Sequence, residues 1–401
     1  MIVKPFGKTG LNVSAVGFGG MRFDTKHSNA ENAALVRYAV DNGINWLDTA
    51  PQYCNDRSED IFGLAMQELG SRREDVVLCT KGQPYVYDTA EKARAAVEKS
   101  LRRLKTDYID FYYVWCVLRL DQYEQAMRPG GQYEALLRCK EEGLIRHIVV
   151  STHLRGPEVK TLLAKNEFDG VLLGVNVLNF QYRWQGVTAA HEQGLGVVAM
   201  NPLAGGVIPQ NEAALDFLAE PGETPTEAAL RFCVGCPQIT VALNGFSARE
   251  HIDTACRVAD RAEPFTDAHI DRIRKHISTT MDDLCTGCGY CMGHCPEQIP
   301  VAGYMQYYND KLLLKKTDAE MTEGLKNHKT FGILVGARPA AECIACGQCE
   351  RACTQHLDII KRLNAISQWE HQLAHPGLKR KASELSLKAL RKIKRTCLPR
   401  Q

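Results

Sequence analysis

Cysteine is the residue type in this chain best suited to do chemistry: there are 16 among 401 residues, and eight of them fall in two short runs. Residues 285–296 read CTGCGYCMGHCP, a C-x2-C-x2-C-x3-C-P spacing. Residues 343–354 read CIACGQCERACT, the same spacing with Thr354 in place of the proline. Three thiolates two residues apart wrap one corner of a cubane iron–sulfur cluster, and in two-cluster modules the fourth ligates the other cluster. The spacing therefore assigns Cys285, Cys288, Cys291 and Cys353 to one [4Fe-4S] cluster, and Cys343, Cys346, Cys349 and Cys295 to a second. Four thiolates also satisfy zinc, but zinc sites pair their ligands as two separated C-x2-C units. A second constellation is Asp48, Tyr53 and Lys81, an acid, a phenol and an amine near the ends of consecutive apolar runs. A nearby ammonium favours tyrosinate, so Lys81 is expected to lower the Tyr53 pKa, with Asp48 holding the lysine in place.

These residues need a scaffold, and residues 1–262 supply a regular alternation. Eight short apolar runs suit strands buried on both faces: Val13–Phe18, Ile44–Asp48, Val76–Thr80, Ile109–Val114, Ile145–Ser151, Val171–Val175, Gly196–Pro202 and Ile239–Leu243. A helix-length amphipathic segment follows each one. Eight such units in this length predict a (β/α)8 TIM barrel, whose chemistry sits at the C-terminal ends of the strands. An open doubly wound sheet is the rival, but no G-x-G-x-x-G follows the first strand. The segment Ile2–Gly10 is placed as a hairpin closing the barrel floor. Residues 263–284 read as a helical connector, 285–370 as a mainly helical ferredoxin-like domain for two [4Fe-4S] clusters, and 371–401 as a basic tail.

Composition narrows the class. With 45% apolar residues the chain is neither disordered nor, lacking a long apolar run, membrane-spanning. The N-terminal residues have no apolar signal-peptide core, so a cytoplasmic location is expected. The net charge of +2 conceals an asymmetry. Nine of the 49 Lys and Arg lie from Lys379 onward with one acid, Glu384, which leaves a mildly acidic body. No nucleic-acid partner is expected. A redox partner protein would dock near the clusters or on the basic tail.

The stretches GINWLDTAPQYCNDRSEDIFGLAM (43–66), VVLCTK (76–81), SLRRLKTDYIDFYY (100–113) and GLGVVAMNPLAGG (194–206) resemble the aldo-keto reductases. With the cysteine module, the resemblance extends to the iron–sulfur branch of that family. It implies Tyr53 as general acid toward a carbonyl oxygen, Asp48 and Lys81 as its tuning residues, and NADPH as hydride source. It also implies that Ser151, Asn176, Gly205, Gly206, Ser247 and Arg249 hold the cofactor. No motif supports a flavin. Two positions depart from the family pattern: Trp115 stands where a histidine ends the fourth strand, and Leu172 where a glutamine binds the nicotinamide amide. Indole donates one hydrogen bond but cannot titrate.

The expected function is thus an iron–sulfur oxidoreductase of the aldo-keto reductase type. It would reduce a small carbonyl or activated C=C compound, with Tyr53 as proton donor, Trp115 in the same site, and two clusters for electron transfer. The alternative is an electron-transfer or redox-sensing subunit whose barrel has lost hydride transfer, motivated by Trp115 and Leu172. Cys54 and Cys116 adjoin the site and are candidate reactive thiols. Cys233-x-x-Cys236 reads as buried apolar cysteine rather than a redox pair. His153, near the end of the fifth strand, carries no assigned role.

Overall fold

The computed structural model describes residues 1–375 apart from 118, 166, 281–284, 286–290 and 354–356, with the backbone alone at 182, 207 and 276–280. The basic tail from Lys379 and the ligand Cys288 lie outside the described residues. The chain divides into two compact units, Met1–Thr280 and Met281–Gln401. No helix among the described residues is long and apolar enough to cross a membrane.

The first unit opens with an antiparallel hairpin of β1 (Val3–Pro5) and β2 (Asn12–Ser14). Eight parallel strands then close the barrel: β3 (Val16–Gly19), β4 (Trp46–Asp48), β5 (Val77–Gly82), β6 (Ile109–Val117), β7 (Ile145–Thr152), β8 (Gly170–Gly174), β9 (Gly196–Met200) and β10 (Val241–Gly245). Every expected run contributes a strand, and helices surround the closed sheet. The first run is split, because Asn12–Ser14 pairs with the hairpin and only Val16–Gly19 joins the barrel. Left-handed glycines at Gly7 (φ 54°) and Gly10 (φ 78°) make the reversal possible. The hairpin drives Phe6 into the floor, stacked on Trp46 at 4.8 Å and tilted against Phe111 at 4.7 Å. A Cβ on Gly196 would lie 2.2 Å from that ring, so glycine is required there. Ser28, Thr89 and Thr224 each start a helix by accepting a backbone N–H of its first turn.

Side chains two apart on a strand share a face, and this rule sets the barrel's layers. Trp46, Cys79, Tyr113, Val149 and Leu172 belong to one buried core. Two residues further along the same strands stand Asp48, Lys81, Trp115 and Ser151, one layer nearer the C-terminal mouth. Asp48 lies in register with Cys79, and Lys81 with Tyr113.

The second unit is helical. Val301–Leu313, Asp318–Thr330 and Ile359–Ala374 pack around buried Tyr304, Tyr307, Leu325 and Trp369. The expected helical stretch between the cysteine runs is two helices, the second restarted by a capping box at Thr317. The helix Asp267–Thr280, read from sequence as part of a connector, groups with the barrel unit.

Candidate active site and cluster site

Asp48 ends β4 and Lys81 lies near the end of β5, with side chains 1% and 2% exposed. Lys81 Nζ donates to Asp48 Oδ1 at 2.5 Å. The same ammonium stands 5.4 Å from the centroid of the Tyr53 ring and 4.8 Å from that of Tyr113. Tyr53 opens a turn in which Gln52, Cys54, Asn55 and Asp56 all have left-handed φ, between 53° and 70°. Such backbone is costly outside glycine and needs bracing. Asp56 Oδ1 accepts from the Gln52 N–H at 3.0 Å and from Arg103 at 2.7 Å, and Arg103 also pairs with Asp60 at 2.8 Å. The Trp115 ring meets Tyr53 edge-on, 5.6 Å between centroids and 89° between planes. Around Trp115 the β6 register slips between Val114 and Val117, and Cys116 takes φ 64°.

The structure thus brings Asp48, Tyr53, Lys81 and Trp115 into one site, and its electrostatics correct one expectation. Burial pushes the Tyr53 phenol up, and the Lys81 ammonium opposes that shift without reversing it. Tyr53 is therefore a firmly protonated phenol, suited to giving a proton rather than to standing as tyrosinate. Burial also raises the Asp48 carboxyl, opposed by Lys81 and Tyr113. Burial disfavours the Lys81 ammonium too, but Asp48 and Tyr53 outweigh it and hold the amine protonated.

Neither thiol beside the site is activated. Burial raises Cys54, and it raises Cys116 to about 11, where Cys116 faces Tyr85. Burial also raises Cys233, and Cys236 to about 12, and the nearby Lys4 ammonium binds the carbonyls of Val234, Cys236 and Ile239. The sequence offered no reason to single out Tyr85. Tyr113 was legible by the two-residue period that links it to Trp115.

Five of the six residues expected at the cofactor follow the C-terminal ends of β8 to β10, and the sixth, Ser151, lies near the C-terminal end of β7 itself. Ser151 is buried on β7 in register with Leu172, itself part of the barrel core. Asn176 is fully drawn into the fold: its Oδ1 accepts from the N–H groups of Leu178 and Asn179, and its Nδ2 donates to the Asn201 carbonyl at 3.0 Å. After β9 the backbone turns through left-handed Asn201, Ala204, Gly205 and Gly206, and nothing lies within 4 Å of where a Gly205 Cβ would stand. Ser247 and Arg249 sit where β10 passes into the helix Arg249–Arg261, with Arg249 over the Tyr38 ring at 4.8 Å.

In the second unit, Cys295, Cys343, Cys346 and Cys349 line a single pocket whose wall includes Ile360 and Leu363. The donor set, four thiols around an apolar pocket, fits a cubane cluster. Cys285 and Cys291 are buried and Cys353 is half-buried. Asn309 clamps Cys285, donating to its carbonyl and accepting from its N–H, each at 2.8 Å.

An eight-stranded parallel barrel with this ion pair at its mouth, followed by two cysteine runs, defines an oxidoreductase joined to an iron–sulfur module. The aldo/keto reductase family model matches residues 15–278, and a 4Fe-4S dicluster domain matches residues 284–357. The chain belongs to the aldo/keto reductase family and carries a 4Fe-4S dicluster domain. Among its relatives is the uncharacterized oxidoreductase YqkF of Bacillus subtilis, 28% identical over 309 residues, which cover 68% of this chain and 95% of that one. Among solved structures, the holo form of aldo-keto reductase AKR11C1 from Bacillus halodurans is 25% identical with a TM-score of 0.59, covering 69% of this chain and 96% of that one. An aldo-keto reductase from Klebsiella pneumoniae in complex with NADPH shares the fold at 21% identity and a TM-score of 0.56, with coverage of 69% and 95%.

Proposed function

We propose that the barrel reduces a small carbonyl or activated C=C compound with NADPH, using Tyr53 as the proton donor. The observation that carries this reading is the buried Lys81–Asp48 pair beneath Tyr53 at the barrel mouth. When bound, NADPH supplies a hydride, whereas each [4Fe-4S] cluster passes one electron at a time. Tyr53 gives its hydroxyl proton to the substrate oxygen as the double bond is reduced, and the phenolate left behind is stabilised by the Lys81 ammonium until solvent reprotonates it. Asp48 keeps that ammonium charged and in place. Trp115 closes one side of Tyr53 and offers a neutral N–H donor where the family has an imidazole.

The open left-handed turn at Gly205 and Gly206 suits close approach of a cofactor's phosphates, with Ser247 and Arg249 as further candidates. Ser151 and Asn176 would act from the pocket wall. In the second unit, Cys295, Cys343, Cys346 and Cys349 would hold one cluster, and Cys285, Cys288, Cys291 and Cys353 the other. The clusters then serve electron transfer to a partner protein.

Tyr53→Phe is the test. Anaerobically purified holoprotein should oxidise NADPH with activated aldehydes or enones, and the variant should lose this turnover while retaining NADPH affinity. Retained turnover refutes the role of Tyr53. Trp115 motivates a second reading, an electron-transfer or redox-sensing subunit without hydride transfer. It predicts reducible clusters without NADPH binding, so micromolar affinity in calorimetry excludes it.

A further inference from the structure

Two buried polar atoms in the barrel site have no hydrogen-bond partner: Asp48 Oδ2 and the Tyr113 hydroxyl. An open acceptor and an open donor in one dry place call for an explanation, since buried polar groups are normally satisfied. The two are complementary. Lys81 and Tyr113 are the side chains whose polar groups face the Asp48 carboxyl, and the Tyr113 hydroxyl faces the Asp48 carboxyl and the Cys79 thiol. Tyr113 is fully buried and in register with Lys81, and its ring lies 4.8 Å from Lys81 Nζ. A tyrosine one layer below the mouth is long enough to touch the layer above, which a shorter aliphatic side chain on β6 would not.

We infer that Tyr113 is a positioning residue of the proton-transfer site, its hydroxyl fixing the Asp48 carboxylate and its ring holding the Lys81 ammonium. The ring meets the cation through its π face, and the hydroxyl is the donor placed to close onto the carboxylate oxygen that lacks a partner. Tyr113 acts on the reaction through Asp48 and Lys81 rather than by touching substrate. The inference rests on the proposed role of those residues in supporting Tyr53.

The groups facing this pair come from four elements: Asp48 on β4, Cys79 and Lys81 on β5, Tyr113 and Cys116 on β6, and Tyr53 in its turn. Asp110 also acts on Cys79. A hydroxyl donating to Asp48 favours the ionised carboxylate and opposes the upward push of burial. Tyr113→Phe removes that donor and keeps the ring. Asp48 should then take up its proton at higher pH, and the acid limb of the kcat profile should move up by about one pH unit. With 4-nitrobenzaldehyde as probe, kcat at neutral pH should fall several-fold at unchanged KM. Tyr113→Leu, which also removes the ring, should fall further.

The readout independent of turnover is a 13C-carboxyl NMR titration of Asp48 in the holoprotein, which should show the same upward shift in Tyr113→Phe. A wild-type acid limb and a wild-type Asp48 titration in that variant overturn the inference. Tyr53→Phe separates the two levels. If it keeps turnover, the proton-donor reading falls and the Asp48 titration alone decides Tyr113. If it is inactive while Tyr113→Phe behaves as wild type, Tyr113 is only packing.

Discussion

Breaking the Lys81–Asp48 pair from either side should destabilise the barrel far more than removing both charges together. The pair is 2.5 Å long with both side chains at most 2% exposed. Beyond Asp48, Lys81 Nζ faces the Tyr53 hydroxyl, the Cys79 thiol and the ring of Tyr113, and none of these brings a full negative charge while protonated. Asp48→Asn therefore leaves a buried amine that must either stay charged against an amide or give up its proton. Removing one partner of a buried pair typically costs about 3–5 kcal/mol, because the surviving charge stays desolvated. At about 2–4 °C per kcal/mol, the barrel's transition should fall by roughly 6–20 °C. Lys81→Met should cost a similar amount, since Asp48 must then be buried protonated. Asp48→Asn/Lys81→Met leaves no unpaired buried charge, so it should cost about 2 kcal/mol or less, below either single change and far below the sum of the two. Urea unfolding followed by tryptophan fluorescence reads this directly, because Trp46, Trp115 and Trp184 all lie in the barrel unit. A loss below about 1 kcal/mol for Asp48→Asn, or strictly additive losses, would refute the ion pair as the organising contact of the site.

Three further outcomes follow from other parts of the molecule. Cys295→Ser and Cys346→Ser should alter the same EPR signal of the dithionite-reduced protein, and Cys353→Ser the other; a Cys295→Ser spectrum matching that of Cys291→Ser would refute the crossed ligand sets. Burial, and then the Arg183 guanidinium, lower His153 from 6.5 to about 3. The unfolded chain then binds its proton first, so stability should fall as pH drops from about 6.5 toward 3, and His153→Gln should flatten that loss in acid unfolding curves without effect at pH 8. Gly196→Ala should force its Cβ into the Phe6 ring and cost at least about 1–3 kcal/mol, whereas in a Phe6→Ala background the added cost should largely vanish in the same urea assay.

Much of this was legible in the sequence because it depends on local pattern. Eight apolar runs alternating with helices leave few topologies other than a barrel. Asp48, Lys81 and Trp115 are all two residues beyond core positions, so knowing the strands places them on one face. The split of the first run was not legible: Val13 to Phe18 is apolar but for a single Ser14, and only the pairing of Asn12–Ser14 with Val3–Pro5 separates hairpin from barrel. The upward shift of the Tyr53 phenol escapes the sequence for a related reason. An ammonium at close range can be inferred from sequence, but the desolvation that outweighs it is set by the packing of the folded site. Tyr85 comes to face Cys116 through tertiary packing alone, and no spacing rule connects positions so far apart.

The two chemistries in this chain are built from separate residues. The proton-transfer group spans 48–115 and the assigned cluster ligands span 285–353, with no residue shared. A hydride moves two electrons with their proton, and Asp48, Tyr53 and Lys81 are all closed-shell acid–base groups. Among the described residues none in the barrel site is a carrier that splits an electron pair. On the proposed function, a bound molecule able to hold one electron, either the substrate or a second cofactor, is the simplest link between the barrel's hydride chemistry and the clusters. A substrate that forms only closed-shell products, such as a simple aldehyde, should be reduced at an unchanged rate when Cys346→Ser removes a cluster. A conjugated substrate able to hold one electron is the kind for which that loss should be felt.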